Sequence, residues 1–327
     1  MSKTKPPAVK KGGTIGIVAP ASKPSPEATA IGVERLQRMG FRVVLGKCVK
    51  NTFRHGYLSA TDQERADELN GMFRDDRIDA IIAARGGYGC LRILPMLDYD
   101  LIKTHPKIFM GMSDIVSALL AIYKKTGLIT FHGPWVLSPT MTHYTQQVLF
   151  SALTSTDPIG EIKSPEEGPF IQTIRAGKVT AELTGGNLDL IIHTLGTEYE
   201  IEMNNKLFFF EAASHRVWEL DRFLTHLELA GKLRSVVGVV AGPMKLVDPV
   251  ERANQELSVA SLEKPDFSLS SSVEEVLQER ISRLSVPAIY GVCCGHTENQ
   301  VVLPIGVDAT LDADKGRLSI DEAAVSK

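Results

Sequence analysis

The sequence predicts an α/β protein built on an open parallel sheet covered by helices on both faces. Three observations carry that reading. Strand-length apolar runs alternate with helix-period segments from residue 14 to about residue 133, the pattern of successive βαβ units. Two glycine-bearing turns, RGGYG (85–89) and GMSD (111–114), directly follow apolar runs, where open parallel sheets place their ligands. With 327 residues, the chain is long for one core and sufficient for two domains.

TIGIVAP (14–20) reads as a short buried strand, and PEATAIGVERLQRMG (26–40) as a helix closed by Gly40. FRVVLG follows as a strand, then TDQERADELNGMFRD as a helix begun by a Thr61 cap. DAIIAA (79–84), KIFMGM (107–112) and LITFHG (128–133) are further strands, with CLRILPML and DIVSALLAIYKKTG as helices between them. The pattern weakens from 151 to 180, where TSTDPIGEIKSPEEGP is rich in turn formers and reads as a linker. The expected division is therefore an N-terminal α/β domain over 1–155, a linker over 156–180 and a C-terminal domain over 181–327.

The second half is less regular. TGGNLDLIIHTLG (184–196) reads as a turn and helix, KLFFFEA (206–212) and SVVGVVAG (235–242) as strands, and 215–230 as a helix. The polar, serine-rich residues 247–271 read as a surface excursion. Ser272 and Glu275 form a capping-box pattern for VEEVLQERISRL. Short strands around AIYGV, QVVLPIG and RLSID close the chain.

Composition narrows the partners. A formal net charge of −3 offers no electrostatic attraction to nucleic acid or an anionic membrane. MSKTKPPAVKKGG has basic residues but no apolar run behind them, so no secretory signal is expected. No stretch approaches the ~18 apolar residues of a membrane span. Cys48, Cys90, Cys293 and Cys294 form no CxxC pair and no metal-binding spacing. Vicinal Cys293 and Cys294 are too close for an easy bridge and read as small buried thiols; a reducing compartment fits, which together with the missing signal points to the cytoplasm. No metal or organic cofactor is expected, since no ligand cluster has zinc or magnesium spacing.

The candidate chemistry starts at GMSD. Ser113 falls where a strand ends and a helix begins; a serine there can simply cap the helix, or present its hydroxyl on a sharp turn with the Asp114 N–H aimed at an oxyanion. This is not the GxSxG elbow, because Ile115 occupies the place of the second glycine. Gly86 and Gly87 of RGGYG allow close backbone approach to a ligand, and one of their N–H groups is a candidate second oxyanion donor. A serine nucleophile needs a base, and His296, in the turn GVCCGHTENQ between two apolar strands, is the best placed of eight histidines. His132 in FHGPW either lines the site or is a satisfied core histidine. Glu211 ends the apolar strand KLFFF, where a carboxylate is costly unless paired; a solvent-facing glutamate is the bland alternative. Ser, Glu and His in that chain order suffice for acyl transfer.

Several segments taken together resemble the LD-carboxypeptidase family of serine peptidases, which includes microcin C-resistance peptidases. They are IGIVAPAS (15–22), ARGGYGCLRILPMLD (84–98), PKIFMGMSDIVSALLAIY (106–123), TFHGP (130–134), LTGGNL (183–188), FFFEAASHRVWELDRFLTHL (208–227) and GHTENQVVLPIG (295–306). The resemblance implies a class I amidotransferase-like α/β half followed by a smaller β-rich half, with the site between them. It implies a Ser113–His296–Glu211 triad and an oxyanion hole of the Gly87 and Asp114 amides. It further implies a murein tetrapeptide as substrate, loss of its terminal D-alanine, and a homodimer. Arg85, Gly86, Asn187, Trp218 and Arg222 are the expected substrate contacts, with Arg85, Arg216 and Arg222 the candidates for the terminal carboxylate. The chain departs from the family pattern after Glu211, with Ala212, His215 and Trp218 at positions usually held by aspartate, glutamate and tyrosine. These departures leave the triad intact and bear on side-chain preference.

Three alternatives stay open. The same triad can hydrolyse a microcin C-like aminoacyl nucleotide, with Trp135 and Trp218 stacking on the purine, although both indoles are expected to pack in the core or at a domain interface. Cys90 can serve as the nucleophile after its glycine-rich turn, or simply pack under the helix. The chain can also be a non-catalytic binder of cell-wall fragments.

Overall fold

The structure is a computed structural model that describes residues 2–50, 56–138, 140–165, 170–246 and 272–327. The expected excursion over 247–271, and His55, lie outside the described residues.

Two sheets organise the chain. The first contains β1 (Thr14–Val18), β2 (Arg42–Leu45), β3 (Ala80–Ala83), β4 (Ile108–Gly111) and β5 (Thr130–His132), all parallel. The second draws on β6 (Gly160–Glu161), β7 (Gln172–Arg175), β8 (Lys178–Asn187), β9 (Lys206–His215), β10 (Gly238–Leu246) and β11 (Ala288–Tyr290). The chain then returns to the first sheet with β12 (Leu303–Ile305), which pairs antiparallel to β5, before β13 (Asp308–Asp312) and β14 (Arg317–Ile320) complete the second. The strand orders are β12-β5-β4-β3-β1-β2 and β6-β14-β13-β8-β9-β10-β11-β7.

The sequence explains the layering. The four residues of β3 and of β4 are all buried, as strands covered on both faces must be, and they are correspondingly apolar throughout. The helix Val116–Thr126 lies between sheets, so its apolar face is unusually wide and only Tyr123, Lys124 and Lys125 are partly exposed. Thr61 caps the helix Asp62–Arg74 in a reciprocal capping box with Glu64, and Ser272 does the same with Glu275 for Val273–Ser282.

Two features were not legible in advance. The stretch expected to be a linker contributes β6 and β7 to the two ends of the second sheet. QVVLPIG supplies β12 to the first sheet, so a strand from the last tenth of the chain completes the edge next to β5. Short strands joined by long-range pairing leave no mark in local periodicity.

Candidate active site

His132 at the end of β5 and Asn187 at the end of β8 meet beside Glu211, which does not end its strand as the sequence suggested but lies within β9, four residues before its last. Ser113 follows β4 directly; β4 and β5 pair Gly111 with His132. In the second sheet, β8 and β9 pair Asn187 with Glu211, which puts those side chains on a common face. His296 lies on the segment joining β11 of the second sheet to β12 of the first, so both sheets fix its position.

Ser113 has φ +60°, a left-handed conformation unusual for a residue with a side chain, and it is half-buried. RGGYG lies against it. A Cβ at Gly86 would fall 2.7 Å from Ser113 Cβ, 2.8 Å from its Oγ and 3.1 Å from Asp114 N, so only glycine fits there. The Gly87 and Asp114 N–H groups have no protein acceptor among the described residues. Two unengaged amides beside a serine on a strained turn can receive an oxyanion.

Glu211 is completely buried. His296 Nδ1 is 2.7 Å from its Oε2, and Asn187 Nδ2 donates to its Oε1 at 2.9 Å. Burial alone would raise this carboxyl; the neighbouring imidazoles of His132 and His296 outweigh it and hold the group down at about 2. With Nδ1 turned to the carboxylate, His296 Nε2 is left to act as a base. Trp135 packs edge-to-face on the His296 ring, with centroids 5.1 Å apart at 89°. Gly295 (φ +89°) is needed next to it, because a Cβ there would come within 2.3 Å of the Glu211 carboxyl carbon. Ser113 Oγ and His296 share no hydrogen bond in this structure.

The turns around the serine are tied down from below. Asp114 turns its carboxylate inward, where Oδ2 accepts from Cys90 N at 2.7 Å. Burial pushes this carboxyl up to about 6, with the Cys90 N–H bond and the Arg65 charge pulling the other way. Arg65, with a fully buried side chain, donates to Gly89 O at 2.9 Å and also to Pro20 O and Asp62 Oδ1. Neither Arg65 nor these carbonyl contacts was suggested by the sequence, because an arginine inside a helical pattern reads as a surface charge.

The remaining candidates separate. Asn187, expected among the substrate contacts, has both side-chain ends engaged internally, since its Oδ1 also caps the helix Leu188–Thr194. Arg85 and Arg222 are exposed. Trp218 corrects the packing expectation: it is 47% exposed, with the Arg222 guanidinium 5.0 Å and that of Arg216 5.8 Å from its ring centre. An indole at the surface between two guanidiniums is held by cation–π contact, which a helix-period pattern cannot reveal. Cys90 is fully buried and its thiol is pushed up to about 12 by burial, with the Asp114 charge adding to it, which removes the physical basis for a Cys90 nucleophile. Among the described residues no cluster of His, Cys, Asp and Glu is arranged to hold a metal ion, and no helix is long and apolar enough to cross a membrane.

The class of protein that this frame and its chemistry define is a serine-type hydrolase. Known proteins narrow it. Residues 15–133 match the LD-carboxypeptidase N-terminal domain and residues 180–311 the LD-carboxypeptidase C-terminal domain. A probable murein peptide carboxypeptidase of Bacillus subtilis is 36% identical, the alignment covering 99% of this chain and 96% of that protein. The microcin C7 self-immunity protein MccF of Escherichia coli is 31% identical, covering 96% of this chain and 95% of the relative. The solved structure of MccF in complex with glutamyl sulfamoyl guanosine superimposes with a TM-score of 0.86 at 28% identity, covering 98% of this chain and 99% of that one. The chain belongs to the LD-carboxypeptidase family and is a serine-type carboxypeptidase. The non-catalytic reading gives way to this membership.

Proposed function

We propose that the enzyme cleaves the LD-peptide bond before the terminal D-amino acid of a murein tetrapeptide, through Ser113, His296 and Glu211. The observation that carries the reading is the 2.7 Å pairing of buried Glu211 with His296, together with Ser113 on its strained turn after β4. His296 Nε2 takes the Ser113 proton as Oγ attacks the carbonyl carbon of the L-configured centre. The Gly87 and Asp114 amides hold the oxyanion. Collapse returns the proton from His296 to the departing amine, and water, activated by the same imidazole, hydrolyses the acyl-serine. Glu211 stays ionised throughout and supports the imidazolium; Asn187 steadies its other oxygen. Arg85, Arg216 and Arg222 are the candidate guanidiniums for the substrate's terminal carboxylate. The enzyme is proposed to work in the cytoplasm as a homodimer, on peptides recovered from the cell wall.

A second reading has a specific observation behind it. The Trp218 ring, exposed and flanked by Arg216 and Arg222, is a surface on which a purine can stack. Structures of MccF contain adenosine monophosphate and aspartyl sulfamoyl adenosine.

Mass spectrometry separates the two readings. The enzyme and its Ser113→Ala variant are incubated with L-Ala-γ-D-Glu-meso-diaminopimelate-D-Ala and, separately, with an aminoacyl sulfamoyl adenosine. Release of D-alanine by the parent, reduced about 10⁴-fold or more in the variant, is expected. Release from the nucleotide analogue alone transfers the proposal to the second substrate. Equal turnover by both proteins removes Ser113 from its role.

A further inference from the structure

His132 ends β5 and is fully buried. Its ring packs edge-to-face on Phe209, with centroids 5.4 Å apart at 71°. Neither ring nitrogen has a hydrogen-bond partner among the described residues. A neutral imidazole carries one donor and one acceptor, and burying both unused is costly. Packing on Phe209 does not require nitrogen, since an aliphatic side chain would fill the space with no orphaned group. The Glu211 carboxylate is the complementary case. It is fully buried and charged, with about four acceptor positions. Asn187 Nδ2 uses one on Oε1 and His296 Nδ1 one on Oε2. His132 Nε2 lies 3.9 Å from Oε1. That is too long for a hydrogen bond, yet a movement of ~1 Å by ring or carboxylate makes one.

We propose that His132 is a positioning residue for the catalytic carboxylate, its Nε2–H directed at Glu211 Oε1. The inference rests on the reading of Glu211 and His296 as a catalytic pair. Two donors on Oε1, from Asn187 and His132, leave Oε2 to His296 alone. They also lower the affinity of the carboxylate for a proton, so that when His296 becomes an imidazolium the Nδ1 proton stays on the ring. On this account, the unused nitrogens of His132 are retained for turnover and not for stability.

The test compares the parent with His132→Leu, which keeps the packing, and His132→Gln, which restores an N–H near the place of Nε2. Thermal melting, steady-state D-alanine release and the NMR signal of the His296 Nδ1 proton are read on each, with Ser113→Ala as a control. In His132→Leu the melting temperature is expected to equal or exceed the parent's. Its kcat should fall about ten- to a hundredfold with KM little changed, and its Nδ1–H resonance should move. His132→Gln should recover most of kcat and the resonance. A His132→Leu variant with parental kcat and an unmoved resonance overturns the inference, as does one whose slower turnover is matched by lost stability and not recovered by glutamine. Full activity of Ser113→Ala would instead overturn the proposed function. If the parent releases no D-alanine, the resonance decides the inference by itself.

Discussion

Asp114 is the residue at which local chemistry and stability oppose one another most openly. Its backbone N–H belongs to the proposed oxyanion hole, while its buried carboxylate holds the Cys90 N–H at 2.7 Å and so fixes the start of the helix after RGGYG. Burial raises this carboxyl from the ordinary aspartate value of 3.8 to about 6. A carboxyl held higher in the native than in the unfolded chain binds its proton more tightly when folded. Stability is therefore lost as pH rises from the unfolded value through about 6, and the cost is complete above it. Asp114→Asn keeps an acceptor for Cys90 N without the charge. Chemical denaturation should find this variant more stable than the parent at about pH 8, by up to about 3 kcal/mol, with the advantage gone by about pH 4. An advantage independent of pH would mean that the carboxylate is not the group responsible.

At the scale of elements, the machinery is a set of turns held in register by side chains beneath them. Arg65 is the clearest case. From the helix Asp62–Arg74 it reaches Pro20 after β1 and Gly89 after β3, so one guanidinium ties two neighbouring strand ends together. Its side chain is fully buried and its acceptors are backbone carbonyls and Asp62, which leaves little freedom for a replacement. Arg65→Leu removes the bonds to the Pro20 and Gly89 carbonyls, while Arg92 still holds Asp62 and its N–H still reaches Gly89 O, and should cost about 1–3 kcal/mol of stability. Because Gly86 lies against Ser113, a slack RGGYG turn should also slow D-alanine release in the protein that remains folded. Urea denaturation together with activity per folded molecule measures both effects. Lost stability with unchanged turnover would confine Arg65 to the fold.

Across the whole molecule, the two sheets are woven and not merely adjacent. β12 lies in the first sheet while β11 and β13, on either side of it in sequence, lie in the second. Near the N-terminus, Thr4 and Pro7 bridge to Leu128 and Ser326. The proposed triad is divided the same way, with Ser113 just past the end of β4 in the first sheet and Glu211 within β9 of the second, at the last position β9 pairs with β8. Such a chain should unfold in one step. The two tryptophans allow a direct check, since Trp135 follows β5 and Trp218 lies in the helix after β9. Trp135→Phe and Trp218→Phe each leave a single reporter, and fluorescence and circular dichroism should give one coincident denaturant transition in both. Separate transitions would mean that the halves fold independently.

The sequence by itself determined the alternation of strand and helix through the first half, the helix caps at Thr61 and Ser272, and the two glycine-bearing turns that border Ser113. Each is written in neighbouring residues, as apolar spacing, a capping pair or a glycine after a strand, and so is readable without knowing the fold. It also singled out Glu211 and His296, because a carboxylate closing an apolar run and a histidine on a loop between strands both stand out from their surroundings, although the strand itself runs on to His215. Tertiary structure decided the rest. That β12 crosses sheets, that Asn187 faces Glu211 across a register pair, that Arg65 is interior and that Trp218 is exposed all depend on contacts between residues far apart in the chain. The electrostatics followed the same rule: the low value at Glu211 and the high one at Asp114 arise from burial set against partners that only folding brings within reach.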